Sequence, residues 1–250
     1  MPDVVLVRDQ GAVRLLTLNR PEVRNAFDVG LYTGLASALD DARADDAVKV
    51  VVLTGSGRVF SSGQDLVEMA ALANGTAADG AQDGFPTLLA AVRAFDKPLI
   101  AAANGPGVGL GFTLLAHCDI VLVAPTARFK VPFAELGVAP EAASSYLFPK
   151  RLGWCRAANV LLGGAWLSAQ EAVATGFALR QSEPDRLVDD AVALATDMAT
   201  APLVSLRAIK GLMLEAEAAD VAAARQREEA VFAELLFATT TRDALDRARR

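Results

Sequence analysis

The apolar positions of this chain change their period about halfway along it, from alternation between strands and helices to helix alone. Val4–Arg8 and Ala12–Asn19 read as two strands around Asp9-Gln10-Gly11, a hairpin-type turn. Leu31, Leu35 and Leu39 then recur at helical spacing behind Asp28, a residue suited to cap a helix, until the charged stretch Asp40–Asp46 ends that face. Val48–Leu53 is a valine-rich run interrupted only by Lys49, the pattern of a strand covered on both faces. Leu66–Gly84 is rich in Ala, Gly and Asp with weak periodicity, and predicts a mobile segment, part helix, lying over a cleft. Phe85, Leu88, Leu89, Val92 and Phe95 mark an amphipathic helix. Pro98–Ala103 reads as a strand, Gly109–Ala116 as a helix and Asp119–Ala124 as a returning strand.

Strands that alternate with helices and return in parallel favour an α/β fold with right-handed crossovers. Beyond about Glu141 helical periodicity takes over, in Ser144–Arg151, Arg156–Leu162, Ala169–Thr175, Asp185–Ala199, Val204–Ala216 and Val221–Ala238. Phe177–Gln181 is the one late strand candidate. The Ala- and Glu-rich end carries an apolar face suited to packing on the body or on another subunit.

At 250 residues with 53% hydrophobic residues, the chain can bury a sizeable core, filled by Ala, Val and Leu because aromatics are only 6%. A net charge of −6, with no basic cluster interleaved with aromatics, argues against a nucleic-acid partner. Cys118 and Cys155 lack CxxC spacing, and each is expected to be a lone buried thiol in a reducing cytosol. His117 is the chain's only histidine, which excludes a metal site built on two imidazoles. Its apolar helical surroundings predict a packed, hydrogen-bonded core residue. Met1-Pro2-Asp3-Val4-Val5 does not resemble a signal peptide. Pro98 to Cys118 imitates a membrane span, but Asn104-Gly105-Pro106-Gly107 interrupts it, so a buried strand, turn and helix are expected in a soluble protein. Arg247-Ala248-Arg249-Arg250 carries no clear peroxisomal address, and a cytoplasmic location is the expectation.

Two glycine-bearing turns hold the candidate chemistry: Ser61-Ser62-Gly63-Gln64-Asp65 and Asn104-Gly105-Pro106-Gly107-Val108-Gly109-Leu110-Gly111. Each follows a strand and can offer a free backbone N–H to one shared point. Two converging N–H donors are what a carbonyl needs as it becomes an oxyanion, which suggests enolate formation at a thioester. Together with Leu18-Asn19-Arg20-Pro21, Asn25-Ala26-Phe27 and Cys118-Asp119-Ile120, these turns resemble the crotonase (enoyl-CoA hydratase/isomerase) superfamily. The resemblance runs from about Val4 to Arg242.

It implies a spiral of ββα turns over residues 1–195 that holds an acyl-CoA thioester. It also implies a helical C-terminal region, 196–250, that assembles a homotrimer or a dimer of trimers. No separate cofactor is implied, since coenzyme A belongs to the substrate. By position, the oxyanion donors become the N–H groups of Gln64 and Leu110, the latter at a helix start. Coenzyme A contacts are implied for Glu22-Val23-Arg24 and Ser62, and for a basic residue matching Lys210 or its neighbour Arg207. Gly63, Asp65, Gly109 and Phe133 complete the substrate-binding candidates, with Asn25 and Asp65 read chiefly as stabilisers of their turns.

The acids choose among reactions that this scaffold supports. The two glutamates that resembling hydratases use fall here on Thr113 and Phe133, neither of them an acid. Pro132–Gly137 with Pro140-Glu141-Ala142-Ala143-Ser144-Ser145-Tyr146 is instead similar to the peroxisomal-type Δ3,Δ2-enoyl-CoA isomerases, whose single base falls on Glu141. Glu141 also follows Pro140 and opens an Ala/Ser helix, where a carboxylate can serve simply as a helix-start acid. Glu135 is the competing base, read as partly exposed, and Asp40/Asp41 and Glu228/Glu229 are read as solvated helix faces. The expectation is an isomerase with one glutamate base. The alternatives are a hydratase, another crotonase-type reaction, and a non-catalytic acyl-CoA binder.

Overall fold

The hairpin expected at the start of the chain forms: β1 (Val5–Gln10) and β2 (Val13–Leu18) pair antiparallel, with Gln10 opposite Val13 across the turn at Gly11. The computed structural model describes residues 3–77 and 80–248. From β2 the sheet grows in parallel, through β3 (Val50–Gly55) and then β4 (Leu99–Ala103). β5 (Gly107–Val108) leaves for a second, small sheet, while β6 (Ile120–Val123) returns beside β4. β7 (Arg128–Lys130) and β8 (Leu167–Ser168) join β5, and β9 (Arg180–Gln181) pairs with β6. Among the described residues the two sheets run β1-β2-β3-β4-β6-β9 and β5-β7-β8.

Helices fill the crossovers and both faces. The first five are α1 (Val29–Ala44), α2 (Leu66–Ala73), α3 (Gly84–Ala94), α4 (Leu110–Thr113) and α5 (Phe133–Leu136). α6 (Ser144–Leu152), α7 (Trp154–Leu161) and α8 (Ala169–Ala174) follow. The last four are α9 (Leu187–Ala199), α10 (Leu203–Glu215), α11 (Ala218–Leu236) and α12 (Thr239–Ala248). Asp28 caps α1 as expected, accepting from Leu31 N at 2.8 Å.

All of β3 is buried because it has a core on each side. Val51 and Leu53 belong to the larger core with Leu31, Leu35 and Leu39 of α1, whereas Val50 and Val52 meet Leu187, Ala191 and Ala195 of α9. Burying such a Val or Leu contributes roughly 1.5–3 kcal/mol, so both faces stabilise the strand. α9 runs unbroken through Ala195 to Ala199. α11 then packs on α6, and α12 on α2 and α5, so the last helices close over the body of their own chain.

Several expectations need correction. Leu167–Ser168 is a late strand that the pattern does not show, and Phe177–Gln181 contracts to Arg180–Gln181. Strands of two or three residues are too short to express a period. The helix expected over Gly109–Ala116 is α4 followed by a 3₁₀ turn, Leu114–His117. Of Leu66–Gly84, α2 is a regular helix and Ala81–Asp83 a 3₁₀ turn, while 78–79 lie outside the described residues. Cys118 is buried but Cys155 is exposed, at the start of α7. No single helix among the described residues is long and apolar enough to cross a membrane. The apolar stretch Pro98–Cys118 is divided among β4, β5, α4 and the 3₁₀ turn.

One buried amide fixes the loop that leads into the first glycine turn. Asn25 is fully buried with φ of 54°, a left-handed conformation that Asn tolerates better than most residues. Its Nδ2 donates to the carbonyls of Ser56, Val59 and Phe60 at 3.0, 2.9 and 3.1 Å, and its Oδ1 accepts from Arg20 N at 2.9 Å. Asn25→Ala strands these groups, and a loss of about 3 kcal/mol is expected in urea unfolding. An unchanged midpoint would show that the loop holds itself.

Candidate active site

The strand ends and the C-terminal helices enclose a cavity of about 350 Å³. Gln64, Gly109 and Leu110 line it from the two glycine turns. Its walls are apolar: Met69 and Leu72 of α2, Phe85 of α3, Phe133 and Leu136 of α5, and Phe232 and Leu236 of α11. Leu66 and Gln82 also line it, so the described part of Leu66–Gly84 does border the cleft.

The two turns reach each other through a main-chain bridge between Ser61 and Gly107, with Val108 N donating to Ser61 O at 2.9 Å. Gly63 has φ of 87°, and a Cβ there would overlap the Val108 carbonyl and lie 3.2 Å from Leu110 N. Glycine is therefore required for the approach. On its other side the turn is tied to Phe27, whose N donates to Gly63 O at 2.8 Å and whose O accepts from Asp65 N at 2.9 Å. That pairing uses the residues on either side of Gln64. Leu110 is the first residue of α4, where no preceding helical carbonyl is available. Among the described residues, neither the Gln64 nor the Leu110 N–H donates to a protein acceptor.

Glu141 brings a carboxyl to the cavity wall. Thr113 Oγ1 donates to its Oε1 at 2.6 Å. Burial pushes its pKa up to about 7; the Thr113 hydrogen bond opposes this, and the nearby Glu228 charge adds to it. The side chain does not cap α6: the Ala143 and Ser145 N–H groups donate instead to Glu228, at 2.7 and 2.8 Å. The helix-start role proposed for Glu141 therefore falls to a different acid.

The backbone after Glu141 is unusual. Ala142 and Ala143 both have φ of 57°, in the left-handed region that costs L-residues roughly 1–2 kcal/mol each. His117 Nε2 lies 2.8 Å from the Ala142 carbonyl, so Nε2 carries the proton and donates. Burial lowers the His117 pKa to about 4, which keeps the ring neutral. It is the packed core histidine that its surroundings predict.

The remaining candidates divide. Ser62 and Phe133 line the cavity; Gly63 and Asp65 do not, and Asp65 caps α2 through Val67 N at 2.9 Å. Glu22, Val23 and Arg24 form an exposed turn beside Ser62, whose N donates to Arg24 O at 2.9 Å. Lys210 needs correction: it is buried away from the cavity, bonded to Asp119 at 2.9 Å and to the Lys97 carbonyl at 2.7 Å. Arg207 is likewise engaged by Asp46 and Asp96. Glu135 is half-exposed, outside the cavity, and pairs with Lys130 at 2.7 Å. Glu228 is not on a solvated face, being only 6% exposed. Tyr32, unremarked in the sequence, lines the cavity with a buried hydroxyl that has no protein partner.

A family description, enoyl-CoA hydratase/isomerase, matches residues 8–247. The chain belongs to this family. Its members act on acyl-CoA thioesters, and the chain is an enzyme of the enoyl-CoA hydratase/isomerase type with the crotonase fold. It is 42% identical over 176 residues to enoyl-CoA delta isomerase 2 of Rattus norvegicus, covering 69% of this chain and 44% of that protein. It is 35% identical over 242 residues to 2,3-dehydroadipyl-CoA hydratase of Escherichia coli, covering 97% of this chain and 93% of that one. Among solved structures, an enoyl-CoA hydratase/isomerase from Pseudoalteromonas atlantica superposes with a TM-score of 0.91 at 33% identity, covering 98% of this chain and 96% of that one.

Burial of this family member's acid has a measurable cost. The folded pKa of Glu141, about 7, lies above the ordinary 4.5. Stability from this group is therefore complete below about pH 4.5 and lost as pH rises through about 7. Glu141→Gln keeps the acceptor for Thr113 and removes the charge, so at pH 8 it should be more stable than wild type, by up to about 3 kcal/mol. The two proteins should unfold alike at pH 4. Equal stability at pH 8 would mean that the carboxylate is well solvated.

Proposed function

We propose that the enzyme moves a double bond, converting a 3-enoyl-CoA to its trans-2-enoyl isomer. The C2 proton passes to Glu141, and the electron pair shifts into a dienolate whose oxygen accepts from the Gln64 and Leu110 N–H groups. Glu141 then returns the proton to C4, so no net acid, base or water is consumed. Each such donor is typically worth roughly 3–4 kcal/mol to the transition state.

One observation carries the choice of reaction. Among the described residues that line the cavity, Glu141 is the acid that combines an oxygen free of protein partners with no ion pair; its one bonded neighbour is the Thr113 hydroxyl, and Phe133 lies in the same lining. Glu228 and Glu229 also border the cavity, but Glu228 holds two backbone N–H groups and Glu229 pairs with Arg225 at 2.9 Å. Hydration of a 2-enoyl thioester needs an activated water and a proton donor, which two free acids handle well and one does not. A lone carboxyl with pKa about 7 in an apolar wall suits a proton shuttle. Val204, Leu212 and Met213 are exposed on α10 and support self-association, as a trimer or a dimer of trimers.

Purified enzyme mixed with 3-enoyl-CoA should raise ultraviolet absorbance as the product becomes conjugated. Depletion of that band from 2-enoyl-CoA would instead identify a hydratase, and no change with either a binder. Glu141→Gln should lower kcat by 10²–10⁴-fold, the range typical for loss of a general base, while affinity for coenzyme A stays within about twofold. Retained activity would move the base to another acid of the cavity wall, Glu229 first. In wild type, kcat/KM should rise with pH and level off above about 7, as Glu141 loses its proton.

A further inference from the structure

Glu228 stands on α11, remote in sequence from Glu141, on the same helical face as Val221, Ala224, Phe232 and Leu236. A carboxylate on an apolar stripe needs partners, and this one takes them from the turn that follows the base. Oε2 accepts from Ala143 N at 2.7 Å and Oε1 from Ser145 N at 2.8 Å. The N-cap position of α6 is occupied by Ala143, which has no side chain able to cap it. Glu228 acts as a cap in trans. The same turn holds the two left-handed alanines and is tied to Ser144, whose N and Oγ donate to Glu141 O at 2.9 and 2.6 Å. These local bonds close the turn at the Glu141 carbonyl but leave the Ala143 and Ser145 N–H groups, which only Glu228 satisfies among the described residues.

We propose that Glu228 is the positioning residue for Glu141: it clamps the left-handed turn that presents the base. The inference rests on Glu141 as the working acid. The charged and titratable groups around the pair are few. α11 contributes Arg225 and Glu229 at the cavity, and Arg227, whose charge opposes the rise in the Glu228 pKa caused by burial. α1 contributes the buried Tyr32 phenol, whose pKa burial and Glu141 both raise, and the 3₁₀ turn contributes the neutral His117. Of these groups, Glu228 is the one whose charge adds to the rise in the Glu141 pKa that burial causes.

Two substitutions separate placement from charge. Glu228→Asp keeps the charge and gives up reach; a misplacement of about 1 Å can cost roughly 100-fold, so kcat should fall by tens- to a hundredfold with KM little changed. Glu228→Gln keeps the reach but gives up the charge and one of the two acceptors, because its Nε2 cannot accept from a backbone N–H. The Glu141 carboxyl, followed by its ¹³C resonance against pH, should then titrate at lower pH than in wild type, and the acid limb of kcat/KM should move with it. Both are made in an Ala143→Gly background as well, where the left-handed turn costs little, so that a folded protein is obtained. The ¹³C titration needs no turnover: an absence of isomerisation in wild type would refute the reaction, and a Glu141 titration unmoved in both Glu228 variants would refute the clamp. Wild-type kcat in Glu228→Asp would overturn the positioning role.

Discussion

A half-buried carboxyl group set into an apolar cavity wall, with one hydroxyl bonded to it, is the constraint on which the rest of this structure turns. Taking an ionised carboxylate out of water is costly unless partners replace the water, and among the described residues the Glu141 side chain has only Thr113. The group responds by titrating near neutrality, where it can both take and return a proton. A more generously bonded carboxylate would be a weaker base, and a fully exposed one would exchange its proton with solvent.

Holding such a group in place requires support from elements far apart in the chain. The turn after Glu141 adopts a backbone that alanines avoid, and it is held by His117 from the 3₁₀ turn and by Glu228 from α11. The opposite side of the cavity depends on close approach of two glycine turns, whose backbones meet between Ser61 and Gly107. Asn25 anchors the first of them to the loop after β3. The candidate site therefore lies where the two glycine turns, α4 and the C-terminal helices meet, and α11 forms part of its wall.

Features governed by local pattern were legible in the sequence. The hairpin, the Asp28 cap, the doubly covered β3 and the packed His117 follow from alternation, capping chemistry and apolar context. The glycine turns and Glu141 were legible because resemblance to a known family adds register to residue type. What escaped was decided by distant partners. Glu228 looked like half of a surface acid pair because its partners lie more than eighty residues away in the chain, at Ala143 and Ser145 (|i−j| of 85 and 83). Lys210 looked available to a phosphate, but its ammonium meets Asp119 and the Lys97 carbonyl in the interior. The three-strand second sheet is built from segments too short to carry a period.

The most direct measurement of the shielded single-acid shuttle uses 3-enoyl-CoA carrying deuterium at both C2 positions, turned over in ordinary water. The account predicts that one label remains at C2 and that a substantial fraction of the other appears at C4 of the product, carried there by Glu141. Product whose C4 has gained only solvent hydrogen would contradict it, because the proton would then have left the protein or come from another donor.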